Sequence, residues 1–584
     1  MIMQTHFTTQ KPDQTGSALM LTMILSGIAL AILAGVMTWA ATSNRMTHRS
    51  IQYTRSVAAA EAATEKVESQ ITRDFLFGGE KLVSQNLNIY RQNILPTTAD
   101  STYWNTWVFD DGNGHINQTY IQRVPGTTFV ELDPPYAGLK GYVSTYTVVS
   151  HARDTANPQD VTGGVLQQLQ LEGIPIFQFG MYSSGDMEIS CGEPFDITGH
   201  VHSNGILYVE PDDAMTFESD VTAVVNVLFQ RDTVDGDNRG ALGGGWLFKQ
   251  TNAPTFPVTA LTLPIGTTNT PAAIREIIEP PPTGEDPNSA IGLLRYYNQC
   301  DMILTVDDTG VTATSGRFNG FITKIPTNEL ALFVSTGNSF YDGRETKTVY
   351  PIDIDIAIFK AWSETNSNLR FALTNLSSIL SSLYVVDNRA LPGNLGAVRV
   401  LNGTNLPQNG LTVATGRPLY VWGDYNSDPA TRGTADTSTT HPASLVADAI
   451  TILSDAWHDG TTGALLTPPN AAPTTVNAAL LTGFVATTPG HYSGGMENFP
   501  RFLETWGLAN TFTYNGSMVK MFPSLYATGP WGGGYYDPPK RNWAYDANFD
   551  DPTKLPPKTP QLLKVIRGQW ATVAPNTNAA SAFP

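Results

Sequence analysis

His200 and His202 flank Val201. On a strand, where side chains alternate, both imidazoles project from one face, as two ligands to zinc or copper would. Two ligands do not complete a site, and with nine histidines in the chain a surface or stacked pair of imidazoles is the plainer reading. Asp232, Asp235 and Asp237, with Asn238, carry carboxylate and amide oxygens of the kind that bind calcium. Their spacing does not match the EF-hand loop, and a solvated turn is the default. No cofactor is expected beyond structural calcium at these three aspartates. Cys191 and Cys300 are the only cysteines. One disulfide between them would close a loop of about 109 residues and contribute about 4–5 kcal/mol; two separately buried thiols are the alternative. Trp531, Tyr535, Tyr536 and Trp543 lie among glycines, where they could stack on a sugar or simply pack irregular loops.

Signatures of catalysis are missing. The chain has no Gly-Lys dipeptide for a phosphate loop, no His-Glu-x-x-His and no Gly-x-Ser-x-Gly. Acids such as Asp186, Asp196 and Asp301 would be candidates only by analogy with carboxylate chemistry on other β folds. The chain is therefore expected not to be an enzyme.

The elements that must carry these residues are legible in the composition. The 584 residues hold 34 Lys+Arg against 52 Asp+Glu, a net charge of −18, which disfavours nucleic acid and anionic lipid as bulk electrostatic partners. Charged residues are only 15% of the chain, while Gly and Pro number 51 and 39. Frequent turns with few lysines fit a β-rich, loop-rich exported protein better than a helical cytosolic one. Hydrophobic residues at 41% and aromatics at 10% exclude wholesale disorder.

Between Gln14 and Asn44 there is no charged residue, and Gly16 to Thr42 is a continuous apolar run. About 20 such residues span a bilayer core, and the run is too long for the apolar core of a cleaved secretory signal. The apolar pattern continues at helical spacing through Tyr53, Val57, Ala60, Thr64, Val67, Ile71 and Phe75, with Gly78-Gly79 as the expected stop. Leu19, Leu21, Ile24, Ile28 and Ile32 form the greasy surface. Gly27, Ala31 and Gly35, four residues apart, form a small-residue face suited to close helix contact.

This N-terminal pattern resembles type IV pilins and type II secretion pseudopilins, and is closer still to PilX-type minor pilins. The resemblance covers about the first 75 residues. It rests on a polar leader ending in Gly16, the start Gly16-Ser17-Ala18-Leu19, the apolar span, arginines from Arg45 to Arg55, and Ala58-Ala59-Ala60-Glu61-Ala62-Ala63. It implies cleavage after Gly16 by a prepilin peptidase, methylation of Ser17, and other pilin or pseudopilin subunits as partners. It also implies residence in the inner membrane before assembly, a periplasmic C-terminal body, and exposure outside the cell once in a pilus. Two features depart from the family. Leu21 stands where major pilins carry a glutamate, which implies a tip or minor subunit. Arg45, Arg49 and Arg55 follow the span, against the positive-inside rule, although long domains translocate regardless of such charges.

The expected fold is mainly β with a long N-terminal α-helix and a few short helices. Its body is expected to be an irregular right-handed parallel β-helix or β-solenoid, with a β-sandwich as alternative. Six short strands are read at Met187–Ile189, Phe195–Thr198, His200–His202, Ile206–Val209, Met215–Phe217 and Val221–Val224, separated by turns. Related patterns return at 410–426 and 443–453, without a strict repeat period. Ala272–Ile278 and Glu497–Trp506 are read as helices, and residues 352–373 are ambiguous between strand and helix. The organisation expected is leader 1–16, pilin-like helix 17–78 with the membrane span at about 18–42, a linker and first β region at 79–180, a solenoid-like body at 181–435, and a mixed C-terminal region at 436–584. The function expected is that of a structural minor pilin or pseudopilin; the alternative is a membrane-anchored adhesin that joins no fibre and whose surface ligand is open.

Overall fold

A computed structural model describes residues 15–132, 139–157, 159–235, 243–261, 270–316, 325–366, 369, 380–460, 471–507, 509–532 and 536–575. The chain divides into two compact units. The first comprises Met1–Gly126, Ser144–Leu171 and Lys564–Pro584; the second comprises Thr127–Val143 and Glu172–Leu563. Much of the expected linker region groups with the N-terminal helix, because the chain returns at its end to the sheet it began.

In the first unit, helix α1 runs Thr15–Gln85, with a break at Gly78 and Gly79, the expected stop, after which the chain turns helical again. Glycine is suited to the break because Gly79 sits at φ 66°. Helix α2 (Leu87–Asn93) follows. Asp74 of α1 ties the two together, accepting from Asn86 Nδ2 at 2.9 Å and Tyr90 Oη at 2.7 Å. Five strands come next in the chain: β1 (Trp107–Asp110), β2 (Tyr120–Arg123), β3 (Thr128–Glu131), β4 (Lys140–Asp154) and β5 (Thr162–Pro175); β3, the first residues of β4 and the last of β5 are counted in the second unit. The sheet order is β1-β4-β5 and then the last strand of the chain, Gln561–Val573, with β2 and β3 also on β4. The C-terminal half of α1 buries Ala59, Ala60, Ala63, Val67, Ile71 and Phe75, a helical stripe as the spacing requires. Ala59, Ala60 and Ala63 pack with Trp107, Phe109, Ala152 and Val165 of the sheet. The alanines let the helix lie close: a Cβ at Gly163 of β5 would collide with the backbone of Ser56 and Val57.

The second unit is built from parallel strands. All six short strands expected between 187 and 224 are present within one residue of their expected ends. They step from sheet to sheet. Phe179–Ser183, His200–Ser203 and Val221–Ala223 pair in parallel in one sheet. Met187–Ile189, Ile206–Val209 and Asn226–Leu228 pair in a second, and Phe195–Ile197, Met215–Phe217 and Trp246–Phe248 in a third. Met181, Val201 and Val221 are register partners, as are Met187, Leu207 and Val227. A 20-residue step therefore exists where none was read from the sequence. It hides because it conserves apolar character rather than residue identity, and lengthens to 31 residues between Met215 and its partner Trp246.

The sheet holding Met181 runs on through nine parallel strands, from Val221–Ala223 at one edge to Met302–Asp307, where Gly310–Thr314 adds an antiparallel hairpin partner. Along it a single ladder passes through Met302, Leu383, Val413, Leu445, Leu480, Met518, Met181, Val201 and Val221, all in one buried cluster. The order breaks chain sequence once: Met518–Pro523 lies beside Phe179–Ser183. The opposite face of this sheet is covered too. Tyr384, Ala414, Val446, Leu481, Val519 and Tyr182 pack with Ile274, Ile277, Ile278 and Ile291 of the proline-rich excursion. Burial on both faces explains near-continuous apolar runs such as Ala443–Ala447 in place of alternation. A second large sheet, with Lys347–Asp355, Leu395–Gly403, Leu419–Tyr425, Thr474–Asn477, Thr511–Gly516 and Lys540–Tyr545, is likewise parallel along these strands.

Two expected helices resolve differently. Ala272–Ile278 becomes a short helix Pro271–Ile274, capped by Thr270, followed by a 3-10 turn. Glu497–Trp506 is not a helix: Met496–Asn498 is a 3-10 turn and Pro500–Phe502 a strand. Pro500 lacks the N–H a helix interior needs, and Glu497 and Arg501 are buried. The ambiguous stretch is both elements, a strand Lys347–Asp355 joined to a helix Ile356–Thr365, with Asp355 capping the helix by accepting from the Ile358 N–H at 2.9 Å.

Burial also sets a pH dependence. Glu504 is fully buried, accepts the Ser454 N–H and hydroxyl at 2.7 Å each, and burial pushes its carboxyl up to about 7. A carboxyl raised above its unfolded value contributes stability that is present at low pH and lost as pH rises through the folded value. Glu504→Gln is therefore expected to gain on the wild type by about 3 kcal/mol between about pH 5 and pH 8, read by urea unfolding at both. A difference that does not change with pH would contradict this.

Candidate assembly helix and the predicted site residues

The N-terminal half of α1 exposes nearly all of its apolar surface. Leu19 is 69% exposed, Leu21 59%, Ile24 54%, Ile28 50% and Ile32 62%. Among the described residues this is one helix long and apolar enough to cross a membrane, with a mean hydropathy of 2.4 over its best window and none of that window buried. Ser17 lies at the beginning of this exposed stretch, one residue after Gly16. Ala31 is exposed, and a Cβ at Gly27 or Gly35 would touch nothing, so the small-residue face is open. Three threonine hydroxyls in the segment bond back into the helix: Thr22 Oγ1 to the Leu19 carbonyl at 2.9 Å, Thr38 to Ala34 at 2.6 Å and Thr42 to Thr38 at 2.8 Å. Hydroxyls paired within the helix suit an apolar surrounding. Trp39, 72% exposed, stands near the end of the apolar run, ahead of Arg45, where amphipathic rings meet a membrane–water boundary. The segment is thus a single long apolar N-terminal helix of the membrane-anchoring or signal type.

The residues singled out for metal chemistry go elsewhere. Asp235 is buried beside Arg231, with 3.5 Å between carboxylate and guanidinium, and Asp232 accepts the Val234 N–H at 3.1 Å in its own turn. Asp237 lies outside the described residues. Among those described, no group of three or more His, Cys, Asp or Glu side chains is arranged to hold a metal ion. His200 and His202 do share a face, where both contact one hydroxyl: Thr222 Oγ1 is 2.8 Å from His200 Nε2 and 2.7 Å from His202 Nδ1. That hydroxyl can donate to one ring and accept from the other. His202 also contacts Asn204 Oδ1 at 3.0 Å and stacks on Tyr182 at 5.7 Å. Burial holds both imidazoles neutral, pushed down to about 3 and about 4.

Cys191 and Cys300 are both buried and lie in different hydrophobic clusters. The aromatic group is packing. Tyr536 and Trp543 are buried, Trp531 donates to the Tyr536 hydroxyl at 3.0 Å, and Trp543 packs on Phe195 and Phe512. Tyr535 lies outside the described residues.

One constellation was not found by sequence reasoning. In the second unit Glu188, Arg344, Asn498, Arg501 and Lys520, with Phe484, border a small cavity of about 30 Å³. Arg344 is held by the Gly529 and Ser493 carbonyls at 3.0 and 3.1 Å, and Arg501 by Glu345 at 2.5 Å. Lys520 reaches the Asp186 carbonyl at 2.7 Å and lies 4.3 Å from the Phe484 ring. These residues come from five separated stretches and share no motif. The one signal available was the scarcity of cations in an acidic chain, which makes each buried Arg notable.

No protein-family model and no curated protein matches the chain. Among solved structures, the crystal structure of the competence-associated pilin ComZ from Thermus thermophilus aligns over 89% of this chain and 97% of that one. The identity is 11% and the TM-score 0.25, too low for any conclusion to rest on it.

Proposed function

We propose that this chain is a structural subunit, a minor pilin or pseudopilin of a type IV pilus or type II secretion-like fibre, assembled through its N-terminal helix. The observation that carries the reading is the division of α1 into an uncovered apolar half and a half packed on a sheet by an alanine-lined face. An apolar surface of that extent must be covered in water. Lipid covers it before assembly and neighbouring helices cover it in a fibre, with Gly27, Ala31 and Gly35 allowing close approach. In this reading a prepilin peptidase cuts after Gly16, Ser17 becomes the methylated N-terminus, and the body is periplasmic until extraction carries it outside. Leu21, lacking a carboxylate, fits a tip or minor position. The body is an irregular right-handed parallel β-helix carried at the fibre surface; in-register parallel pairing supports this over a sandwich of antiparallel sheets. Its negative charge favours solubility on display.

The test is fractionation of cells that make fibres. The chain is expected in the sheared surface-fibre fraction in cells with an intact assembly system and in the membrane fraction of cells lacking the assembly motor. Equal membrane retention in both would contradict fibre assembly and leave a plain anchor.

A further inference from the structure

The cavity beside Arg344 is bordered by buried polar atoms that lack a hydrogen-bond partner. Arg344 is 5% exposed, its Nη1 has no hydrogen-bond partner, and among the described residues no carboxylate pairs with it. The carboxylates of Glu345 and Asp342 supply counter-charge to this guanidinium, but a buried Nη1 with no acceptor is costly unless a bound group completes it. Lys520, which also borders the cavity, spends one of its three donors on the Asp186 carbonyl. Glu188 Oε2 is also buried and unpartnered.

We propose that this cavity is a binding site for the carboxylate group of a small acid. Arg344 Nη1 and the Lys520 ammonium donate to its two oxygens, and the protonated Glu188 adds a third donor. Burial and the neighbouring Glu497 push Glu188 up to about 8, which favours its neutral, donating form near neutral pH. Asn498 Oδ1, buried and unpartnered while its Nδ2 bonds the Gly494 carbonyl, accepts from a hydroxyl or water beside the anion. The Phe484 ring under Lys520 fixes the ammonium without neutralising it. The cavity of about 30 Å³ admits a group the size of one or two waters, which fits a carboxylate head and leaves the rest of a larger acid outside.

The probe is isotope-labelled acetate, titrated near neutral pH into full-length protein in detergent and read by the broadening of its carboxyl resonance. Broadening is expected with the wild type. It is expected to weaken about tenfold with Lys520→Gln, whose site is only half-buried, and at least as much with Arg344→Lys, which keeps the charge and moves the donor. Lys520→Gln keeps the test decisive if Arg344→Lys disturbs folding. Glucuronate separates two sources of the same chemistry: competition with acetate places the carboxylate on a sugar acid, and lack of competition leaves a small free acid. No broadening with the wild type, broadening unchanged in both variants, or displacement by chloride as effective as by unlabelled acetate would overturn the proposal.

Discussion

Arg399→Ala is expected to destabilise the β body by about 3–5 kcal/mol. Arg399 is fully buried. Its guanidinium binds both oxygens of Asp353, Nε at 2.6 Å and Nη2 at 2.9 Å, and both oxygens of Asp459, Nη1 at 2.6 Å and Nη2 at 2.9 Å. Its planar end lies 4.7 Å from the Trp422 ring and 5.3 Å from Phe340. Removing it leaves Asp353, 4% exposed, with the Asn338 amide but no cation. An uncompensated buried carboxylate, not the lost attraction, makes the change severe. Arg399→Met, which refills the volume, is expected to recover little by itself. Adding Asp353→Asn to it is expected to restore a substantial share by removing the unpaired charge. Urea unfolding of the full-length protein in detergent checks this. A cost below about 1 kcal/mol for Arg399→Ala would show that the pair is compensated by water or contributes no net stability.

Under the proposed assembly role, Ile28→Asp is expected to remove the chain from surface fibres, while Ile28→Leu leaves it there. Ile28 lies near the middle of the apolar run and is half exposed. An aspartate at the centre of a membrane helix costs about 2.5–3.5 kcal/mol on insertion scales. In a packed fibre it would face neighbouring apolar helices with no partner for its charge. Both stages, residence in lipid and packing among helices, are opposed by one side chain that touches nothing in the folded body. Stability of the body is therefore expected to be unchanged, which separates an assembly defect from a folding one. The sheared-fibre fraction and urea unfolding of the two variants give the comparison. Fibre incorporation of Ile28→Asp at the wild-type level would contradict the assembly role of this surface.

What could be read in advance follows from the range over which each signal acts. The helix was legible because 3.6-residue periodicity and the uncharged run are local, and the buried positions Ala60, Thr64, Val67, Ile71 and Phe75 match that spacing. The short strands from Met187 to Ala223 were legible for the same reason, each bounded by its own turn residues. The joining of strands was not. Met181 finds Val201 twenty residues on, but also Met518 on its other side, and nothing near either methionine announces that neighbour. The helix expected at Glu497–Trp506 failed because its polar residues are buried partners: Arg501 pairs with Glu345 and Glu497 accepts the Ser190 N–H. Both contacts are made across long chain separations that periodicity cannot register. Of the candidate sites, the exposed helix surface was visible in the sequence. The cavity at Arg344 was not, since its residues meet only through folding, and the histidine pair was recognisable as a pair but not as two rings sharing the hydroxyl of Thr222.

The central claim is that the exposed half of α1 belongs to a processed, fibre-forming subunit. The mature N-terminus, determined by mass spectrometry from cells with a prepilin peptidase and from matched cells lacking it, tests this most directly. A chain beginning at methylated Ser17 only where the peptidase is present is the expected result. A chain that keeps the residues before Ser17 in both strains would contradict the claim and make the helix a membrane anchor alone.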